Sequence, residues 1–354
     1  MQQQLLCRRM RLDQGRAVFT IAPALVMPSM TGRTQDVDDA LFLRRFHVPG
    51  WASAHVCGRD AMSWYRLEQG LSRCSVVGTT VKHPERFPKD LVADEKHRWL
   101  QGERVSSAST AAQDGILGAS VALSASQAAL EKASGVFASE AQALDAEYAP
   151  ETVNTDGWQA TQGACQALFP PMTVLLCFLP AFLKIRDRAT KTLRAAFAQV
   201  QKRVWEASHA PRKRAFSQRL RRLRAWAETA LPDGVMKSHT LDLCGKRDQF
   251  SKIYAHPEAP RTSTMGDRLR KFLDRAFFHA QYFHGMPDSA ESRVRALALL
   301  GNFCPSSPQT VRKHAGQAWP AERLNGKRYT ENWLENLLAS GSMHGVEQDP
   351  QNPL

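Results

Sequence analysis

The stretch from Pro150 to Thr161, PETVNTDGWQAT, decides how we interpret the fold. Residues 152–156 predict a short strand that ends in a carboxylate, and the glycine after it predicts a turn. Residues 158–169 predict a helix, which two prolines end. Residues 173–178 are apolar and predict a buried strand. The acid therefore stands at the end of a strand, where rigid backbone holds it at the edge of a sheet.

The residues before this stretch predict three more strands and a helix. Residues 87–93 end in Leu-Val-Ala and meet Asp94. Residues 104–110 and 115–123 follow as strands joined by short turns, and residues 124–145, rich in Ala, Gln and Glu, predict a helix. The order is three strands, helix, strand with an acid, helix, strand. It predicts an α/β fold with an RNase H-like mixed sheet, in which acids at strand ends converge on one rim.

The rest of the chain divides into segments of different character. An N-terminal helical segment contains two short helices around a turn, which permits a helix-turn-helix, although most such pairs only pack. A long, basic helical insertion follows the predicted sheet. The predicted segments are a poorly ordered N-terminus at 1–35, the helical segment at 36–85, the first part of the core at 86–180, the insertion at 181–290, the C-terminal part of the core at 291–345 and a tail at 346–354.

The charge balance favours a polyanionic partner. Lys and Arg number 47 against 34 Asp and Glu, which gives a net charge of +13 and a pI near 9.7. Between residues 181 and 230 we count 14 Lys and Arg against 3 Asp and Glu. Each phosphate that is neutralised releases a counterion, so DNA is the expected partner, although a merely basic soluble protein would have the same charge. The predicted DNA-binding residues here are Lys184, Arg186, Arg188, Lys213, Arg214, Arg221 and Arg222.

Cysteine usage and hydropathy indicate the compartment. The sequence has 7 cysteines, scattered and without a Cys-x-x-Cys pair, so a reducing compartment is expected. The most apolar stretch, residues 172–183, is too short to cross a bilayer. We therefore expect a cytoplasmic, nucleoid-associated protein without a membrane partner.

Two aspartates at strand ends suggest metal-dependent chemistry. Asp94 in LVADEKH and Asp156 in VNTDGW would repel each other on adjacent strands unless a cation lay between them. Mg²⁺ prefers oxygen ligands, and two ions about 4 Å apart can activate an attacking oxygen and stabilise a leaving one. A single aspartate in either position is more often a turn residue. The third acid stays open between Glu322, Glu331 and Glu335, because position alone does not choose among them.

Several long strings resemble one group of proteins. They are LVADEKH, PETVNTDGWQAT, LLCFLPAFLKIRDR, ALALLGNFCPSS and AERLNGKRYTENWLENLLASGSMHG. Over about residues 55–345 the chain resembles bacterial insertion-sequence transposases of the acidic-triad (DDE) type, which are similar in layout to the Mutator-like superfamily. In that superfamily the third acid has a Glu-x-Leu-Asn setting. The resemblance therefore prefers Glu322, in Glu322-Arg-Leu-Asn325, and implies a triad of Asp94, Asp156 and Glu322.

The resemblance also implies an activity. The triad would hold two Mg²⁺ or Mn²⁺ ions, water would cut DNA at a transposon end, and the freed 3′-hydroxyl would attack target DNA. The partners would be transposon ends and target DNA, bound by a homo-oligomer. Trp158, beside Asp156, is a candidate either to stack on a splayed base or to pack its helix on the sheet, and Asn325 is a further candidate DNA contact. The superfamily usually has Cys-x-x-His after the second acid, but this chain has Cys177 followed by Pro180. A catalytically impaired, DNA-binding remnant is therefore one alternative, and a basic nucleic-acid-binding scaffold without catalysis is another.

Overall fold

The computed structural model describes residues 8–11, 18–21, 34–279, 283 and 285–342. These residues form two compact units. The first unit comprises residues 1–87, 143–145 and 273–354, and the second comprises residues 88–142 and 146–272. Both units are discontinuous in sequence, so the linear segments predicted above do not coincide with them.

The first unit is mainly helical. Most of the predicted N-terminus at 1–35 and all of the tail at 346–354 lie outside the described residues, but a short antiparallel hairpin lies within the former. The hairpin strands are β1 (Arg8–Arg11) and β2 (Val18–Ile21). The helices are α1 (Thr34–Arg45), α2 (Gly50–Cys57), α3 (Ala61–Gly70), α4 (Val76–Thr80), α13 (Pro287–Phe303), α14 (Pro308–Lys313), α15 (Pro320–Asn325) and α16 (Trp333–Ser342).

Helix α13 is the centre of this unit. It contacts α1, α3, α4, α15 and α16. Its apolar residues Val294, Leu297 and Leu300 are buried, as expected for a helix that is covered on several sides. Side-chain caps define where two of its neighbours begin. The Asp60 carboxylate accepts the Ser63 N–H at the start of α3, and the Ser75 hydroxyl accepts the Gly78 N–H at the start of α4.

The second unit is built on a five-stranded mixed sheet. The strands are β3 (Asp90–Leu100), β4 (Glu103–Ala112), β5 (Gly115–Ala122), β6 (Thr152–Thr155) and β7 (Thr173–Leu176). Their order across the sheet is β5-β4-β3-β6-β7. Strands β3, β4 and β5 pair antiparallel, whereas β6 and β7 run parallel to β3. The predicted α/β class with a mixed sheet is thus confirmed.

Helices surround and extend this sheet. They are α5 (Gln127–Leu144), α6 (Gln159–Leu168), α7 (Phe178–Arg186), α8 (Arg194–Ser208), α9 (Lys213–Ala230), α10 (Val235–Gly245), α11 (Arg247–Ser251) and α12 (Thr264–His279). Helices α7 to α11 share an apolar core that includes Ile185, Val204 and Leu220. The basic residues of α9 lie on the opposite face from this core, as an amphipathic helix requires.

One predicted boundary is wrong. The sequence predicted a first strand over residues 87–93, which ends in Leu-Val-Ala and meets Asp94. Strand β3 instead continues to Leu100, since it pairs with β4 as far as Leu100 opposite Glu103. The parallel pairing with β6, however, ends at Val92. Asp94 therefore pairs with β4 on one side of β3, but on the side of β6 it lies two residues beyond the last paired residue.

Candidate active site

Asp94 lies on β3 two residues beyond its last pair with β6, and Asp156 is the residue that follows β6. Strands β3 and β6 pair with Val92 opposite Asn154. Extending this register by two residues places Asp94 opposite Asp156, and adjacent strands are separated by about 4.8 Å. Side chains two residues apart point to the same face of a strand. The register thus brings the first two acids that the sequence singled out to one edge of the sheet.

The two carboxylates have different surroundings. Asp94 is only 5% exposed, and its backbone carbonyl accepts a hydrogen bond from the Ser109 hydroxyl of β4 at 3.2 Å. Asp156 is exposed and follows the last residue of β6. Its Oδ1 accepts the N–H of Trp158 at 3.0 Å, which closes a tight turn before α6. One acid is therefore held by the sheet, and the other is held by a turn.

Gly157 makes this turn possible. Its φ is +102°, a region that side chains rarely adopt. A Cβ at this position would lie 2.8 Å from Leu176 Cδ1 of β7. Glycine is therefore required immediately after Asp156 for two reasons: the backbone has a positive φ, and β7 approaches too closely for a side chain.

We expect Gly157→Ala to destabilise the protein by more than about 1 kcal/mol, because alanine is strained at positive φ and also collides with Leu176. Urea unfolding followed by tryptophan fluorescence measures the change. Gly102→Ala is the matched control, since Gly102 has a φ of +82° but its Cβ would meet nothing within 4 Å. A loss no larger than that of the control would show that the contact with Leu176 is not tight.

The aromatic residue beside the second acid packs on the sheet. The Trp158 ring meets the His97 ring edge to face, with centroids 5.3 Å apart, and it remains 42% exposed. His97 Nδ1 lies 3.1 Å from the Ser106 hydroxyl. Partial burial lowers the pKa of His97, and the charges of Arg104 and Lys96 lower it further. His97 is thus favoured in its neutral form, as a support for Trp158.

A cavity of about 140 Å³ adjoins Asp156. It is lined by Cys177 and Pro180 from the start of α7 and also by cationic and imidazole side chains. His239 belongs to α10, and its Nδ1 lies 3.7 Å from Asp242 Oδ2. The basic and imidazole residues that line this cavity are Lys184, His239 and Lys246. Pro180 stands where the transposases that the sequence resembles have histidine, but another element, α10, contributes His239 to the same cavity.

Cys177 fixes the start of α12. Its backbone N–H donates to the Thr155 carbonyl at 2.8 Å, which continues the β6–β7 pairing. Its Sγ accepts hydrogen bonds from both the N–H and the hydroxyl of Ser263, each at 3.2 Å. Burial raises the pKa of the Cys177 thiol, the bonds from Ser263 lower it, and the charge of Asp267 raises it. Cys177 is therefore a neutral thiol that holds the start of α12 in place through Ser263.

Asp267 is an acid at this edge of the sheet that the sequence did not indicate. It lies in the first turn of α12, and its N–H donates to the Ser263 carbonyl at 2.9 Å. A Cβ on the neighbouring Gly266 would lie 2.9 Å from Val92 Cγ1 and 4.0 Å from Asp94 Cβ. The start of α12 thus lies against β3 at Asp94, and Asp267 is close enough to Cys177 to affect its thiol.

Glu322 belongs to the first unit and has local partners there. It occupies the first turn of α15 and is buried. Its Oε2 accepts the Ala318 N–H at 2.6 Å, and its Oε1 lies 3.6 Å from Arg328 Nη1. Arg328 also pairs with Glu331 at 2.7 Å. A glutamate that reaches back to an N–H before its own helix is a common way to stabilise a helix start.

The predicted DNA-binding residues fall into two groups. Asn325 is buried in the first unit, where its amide accepts the Lys82 N–H and donates to the Thr80 and Ala321 carbonyls. The Asn325 amide is thus buried and makes its hydrogen bonds inside the first unit, and nothing in its surroundings supports a contact with DNA. The basic residues of the second unit are exposed, namely Lys184, Arg186, Arg188, Lys213, Arg214, Arg221 and Arg222. Arg186 is paired with Asp187 at 2.9 Å.

The acids at this end of β6 offer a small set of possible metal ligands. Among the described side chains, no group of three or more His, Cys, Asp and Glu is placed to hold a metal ion. Mg²⁺ is usually bound by one or two carboxylates together with waters and substrate phosphates. Asp94 and Asp156 on adjacent strands meet that smaller requirement, and Lys184 and Lys246 suit a phosphate. Two carboxylates alone therefore form an incomplete ligand set for Mg²⁺, which phosphate and water oxygens would have to complete.

A scan of the sequence against models of protein families gives no match, and a search of curated proteins gives none either. In the described ranges, no helix combines the length and apolar character needed to cross a bilayer. The six cysteines in those ranges have free thiols. Function therefore has to be argued from the second unit and its acids.

Sequence reasoning missed three residues of this edge. Asp267, His239 and Lys246 all lie in the stretch that the sequence marked only as helical and basic. For Asp267, the sequence does offer a local pattern, Ser263-Thr-Met-Gly-Asp267, which combines a helix start with a glycine and an acid. His239 and Lys246 had no local pattern, because only the packing of α10 brings them to the cavity.

Proposed function

We propose that this chain is a metal-dependent DNA transposase, which cuts DNA at transposon ends and joins the cut ends to target DNA. The observation that carries the proposal is the parallel register that sets Asp94 opposite Asp156. The sheet order β5-β4-β3-β6-β7 supports it, because three antiparallel strands with two further strands parallel to β3 are compatible with the RNase H-like mixed sheet that the sequence predicted. The resemblance to insertion-sequence transposases supplies the reaction class.

The acids would hold two Mg²⁺ or Mn²⁺ ions, which when bound lower the pKa of water and stabilise charge on the leaving oxygen. In the chain itself, β3 fixes Asp94 and the Gly157 turn fixes Asp156. Lys184, His239 and Lys246 line the cavity beside Asp156 and would position a DNA phosphate there. The exposed arginines and lysines of α7 and α9 would bind the flanking phosphates.

The reaction needs no bond between DNA and protein. In cleavage, a water oxygen forms a bond to phosphorus while the bond to the 3′-oxygen breaks, which leaves a 3′-hydroxyl and a 5′-phosphate. In joining, that 3′-hydroxyl forms a bond to a target phosphorus while another 3′-oxygen leaves. The buried thiol of Cys177 is therefore not required as a nucleophile.

For the third acid we favour Asp267 over Glu322. Asp267 belongs to the same compact unit as Asp94 and Asp156, and α12 begins beside Asp94 at Gly266. The hydrogen bonds from Ser263 to Cys177 Sγ tie that helix start to the end of β7. Glu322, by contrast, has partners inside the first unit that account for its burial. The proposed triad would then be Asp94, Asp156 and Asp267, which are not grouped closely enough to hold a metal ion by themselves, so phosphate and water oxygens would have to complete the ligand set.

The experiment that tests the function uses the full chain and labelled duplexes that contain the DNA flanking the coding sequence. We expect cut strands with Mg²⁺ or Mn²⁺, none with EDTA, and joined products when a target plasmid is added. Cleavage without joining would indicate a hydrolytic nuclease. Binding without cleavage would favour the impaired remnant that Pro180 suggests, and absence of both would favour a scaffold unrelated to transposition.

The basic face of α9 provides a separate prediction. Arg221→Gln with Arg222→Gln should weaken binding to a duplex of any sequence, because both side chains are exposed on α9 and free to reach phosphates from the solvent side. The slope of log affinity against log salt should fall by about 0.9 for each lost phosphate contact. Arg312→Gln with Lys313→Gln, on exposed positions of α14, is the control. Equal slopes for both double variants would place DNA elsewhere.

A further inference from the structure

A polar cavity of about 190 Å³ lies within the helical first unit, and none of its lining residues belongs to the candidate active site. Residues of α1, α2, α3 and α13 border it. Its charged lining residues are Arg44, Glu68 and Arg293, and His47 lines it as well. Among the described residues that line this cavity, two guanidinium groups therefore face one carboxylate.

The carboxylate is already engaged by the first guanidinium. Arg44 Nε lies 2.7 Å from Glu68 Oε2, and Arg44 Nη1 donates to the Val48 carbonyl at 2.9 Å. The Glu68 side chain is only 1% exposed, so this ion pair is well shielded from water. The charges of Arg44 and Glu68 offset each other, and the remaining positive charge of the cavity comes from Arg293.

Arg293 is a partly buried cation whose charge is not fully compensated. In the described part of the chain, its buried Nε meets no hydrogen-bond acceptor. Burial lowers the pKa of Arg293, the charge of Glu68 raises it, and the charge of Arg44 lowers it again. Since the pKa remains below its ordinary value, Glu68 does not offset the burial of Arg293. A buried charge gains stability from an added counter-charge, so an anion in this cavity would be favoured.

The start of α2 also favours an anion in this cavity. Pro49 and Gly50 line the cavity, and α2 begins at Gly50 without a side-chain cap. The first N–H groups of a helix have no partners within the helix and carry partial positive charge. The helix start thus adds to the two guanidinium groups, which are the main source of positive charge.

Shape and size indicate which anion fits. A guanidinium presents paired N–H donors that match the oxygens of a phosphate. The cavity is smaller than the several hundred Å³ typical of pockets for drug-sized ligands, so it suits one small anion better than a whole nucleotide. We propose that the first unit binds one phosphate group in this cavity. The terminal nitrogens of Arg293 contact it, because Nε is buried, and the Arg44–Glu68 pair supports the opposite side.

This site requires neither metal nor cleavage, so it stands independently of the proposed function. Isothermal titration calorimetry of the full chain with sodium phosphate, at constant ionic strength and in EDTA, measures the binding. We expect one saturable site. Phosphate should bind about tenfold or more tightly than acetate, because it carries more charge at neutral pH and offers more acceptor oxygens.

Arg293→Met tests the main contact. Methionine retains an unbranched apolar stem but removes the charge, so phosphate affinity should fall by about tenfold or more. Arg295→Met is the matched control on the same helix. Arg295 is also partly buried, but it donates to the Ser72 and Cys74 carbonyls and does not line the cavity. This control should keep the wild-type affinity per folded molecule.

Glu68→Gln provides a test with the opposite sign. Glutamine keeps an oxygen that can accept the Arg44 N–H, but the negative charge beside the ligand is lost. Phosphate affinity should therefore rise several-fold. Tighter binding requires a folded cavity, so this variant decides the matter even if Arg293→Met fails to fold.

The phosphate can come from a free ion or from the end of a DNA strand. A short strand with a 5′-phosphate and the same strand with a 5′-hydroxyl are compared as competitors of inorganic phosphate. Displacement by the 5′-phosphorylated strand alone identifies a strand end as the source, whereas displacement by neither identifies the free ion.

Four results would overturn the inference. They are no saturable phosphate binding by the wild type, equal affinity for phosphate and acetate, unchanged affinity in folded Arg293→Met, and weaker binding by Glu68→Gln. Because the measurements are made in EDTA, they do not depend on whether the chain cleaves DNA. Loss of the phosphate site would leave the transposase proposal standing, and the absence of cleavage would leave the phosphate site standing.

Discussion

Asp156→Asn should abolish Mg²⁺-dependent DNA cleavage, with a loss on the order of a thousandfold, while DNA binding persists. The loss is large because the carboxylate would hold the ions that stabilise charge at the reacting phosphate. The fold should tolerate the change, since Asp156 is exposed and asparagine retains an oxygen that can accept the Trp158 N–H. Cleavage of labelled flanking duplexes and anisotropy with the same duplexes measure the two quantities.

The matched control for this variant is Glu151→Gln. Glu151 is an exposed acid just before the opposite end of the same strand, where its carboxylate pairs with Lys89 at 3.0 Å across two exposed side chains. Such surface pairs contribute little to stability. Equal cleavage by Asp156→Asn and the wild type would remove the carboxylate on which the proposed function depends, and equal losses in Asp156→Asn and Glu151→Gln would point to a general effect of charge.

The order of strands and helices around Asp156 could be predicted from the sequence. Local features decide it, because Gly157 ends β6, two prolines follow α6, and apolar residues fill β7. The extension of β3 beyond Asp94 could not be predicted in this way. Its charged residues argue locally against a strand, and only the antiparallel pairing with β4 keeps them extended.

The candidate site was predictable only where an acid stands next to the apolar residues of its own strand. Asp94 and Asp156 meet that condition, and extending the register of β3 with β6 by two residues sets them opposite each other. Asp267 comes from a helix more than a hundred residues after β6. Its position depends on Ser263 bonding to Cys177 and on Gly266 approaching Val92, neither of which a local pattern reveals.

The second large effect on DNA cleavage is expected from substitution of the third acid. Asp267→Asn should lower cleavage by about a hundredfold or more, with unchanged urea unfolding, if its carboxylate contributes to binding the ions. Glu322→Ala should instead leave cleavage per folded molecule nearly unchanged and lower the free energy of unfolding by about 1–3 kcal/mol, because it removes the acceptor of the Ala318 N–H and the partner of Arg328.

Measuring both variants separates chemistry from folding. Activity is divided by the folded fraction from urea curves, and Mg²⁺ titration shows whether the remaining cleavage needs more metal. A weakened acid site should shift the Mg²⁺ midpoint upward for Asp267→Asn, because one anionic oxygen ligand is lost. If Glu322→Ala shifts that midpoint and Asp267→Asn does not, the third acid is Glu322. In that case the hydrogen bonds of Cys177 to Ser263 would only stabilise the second unit.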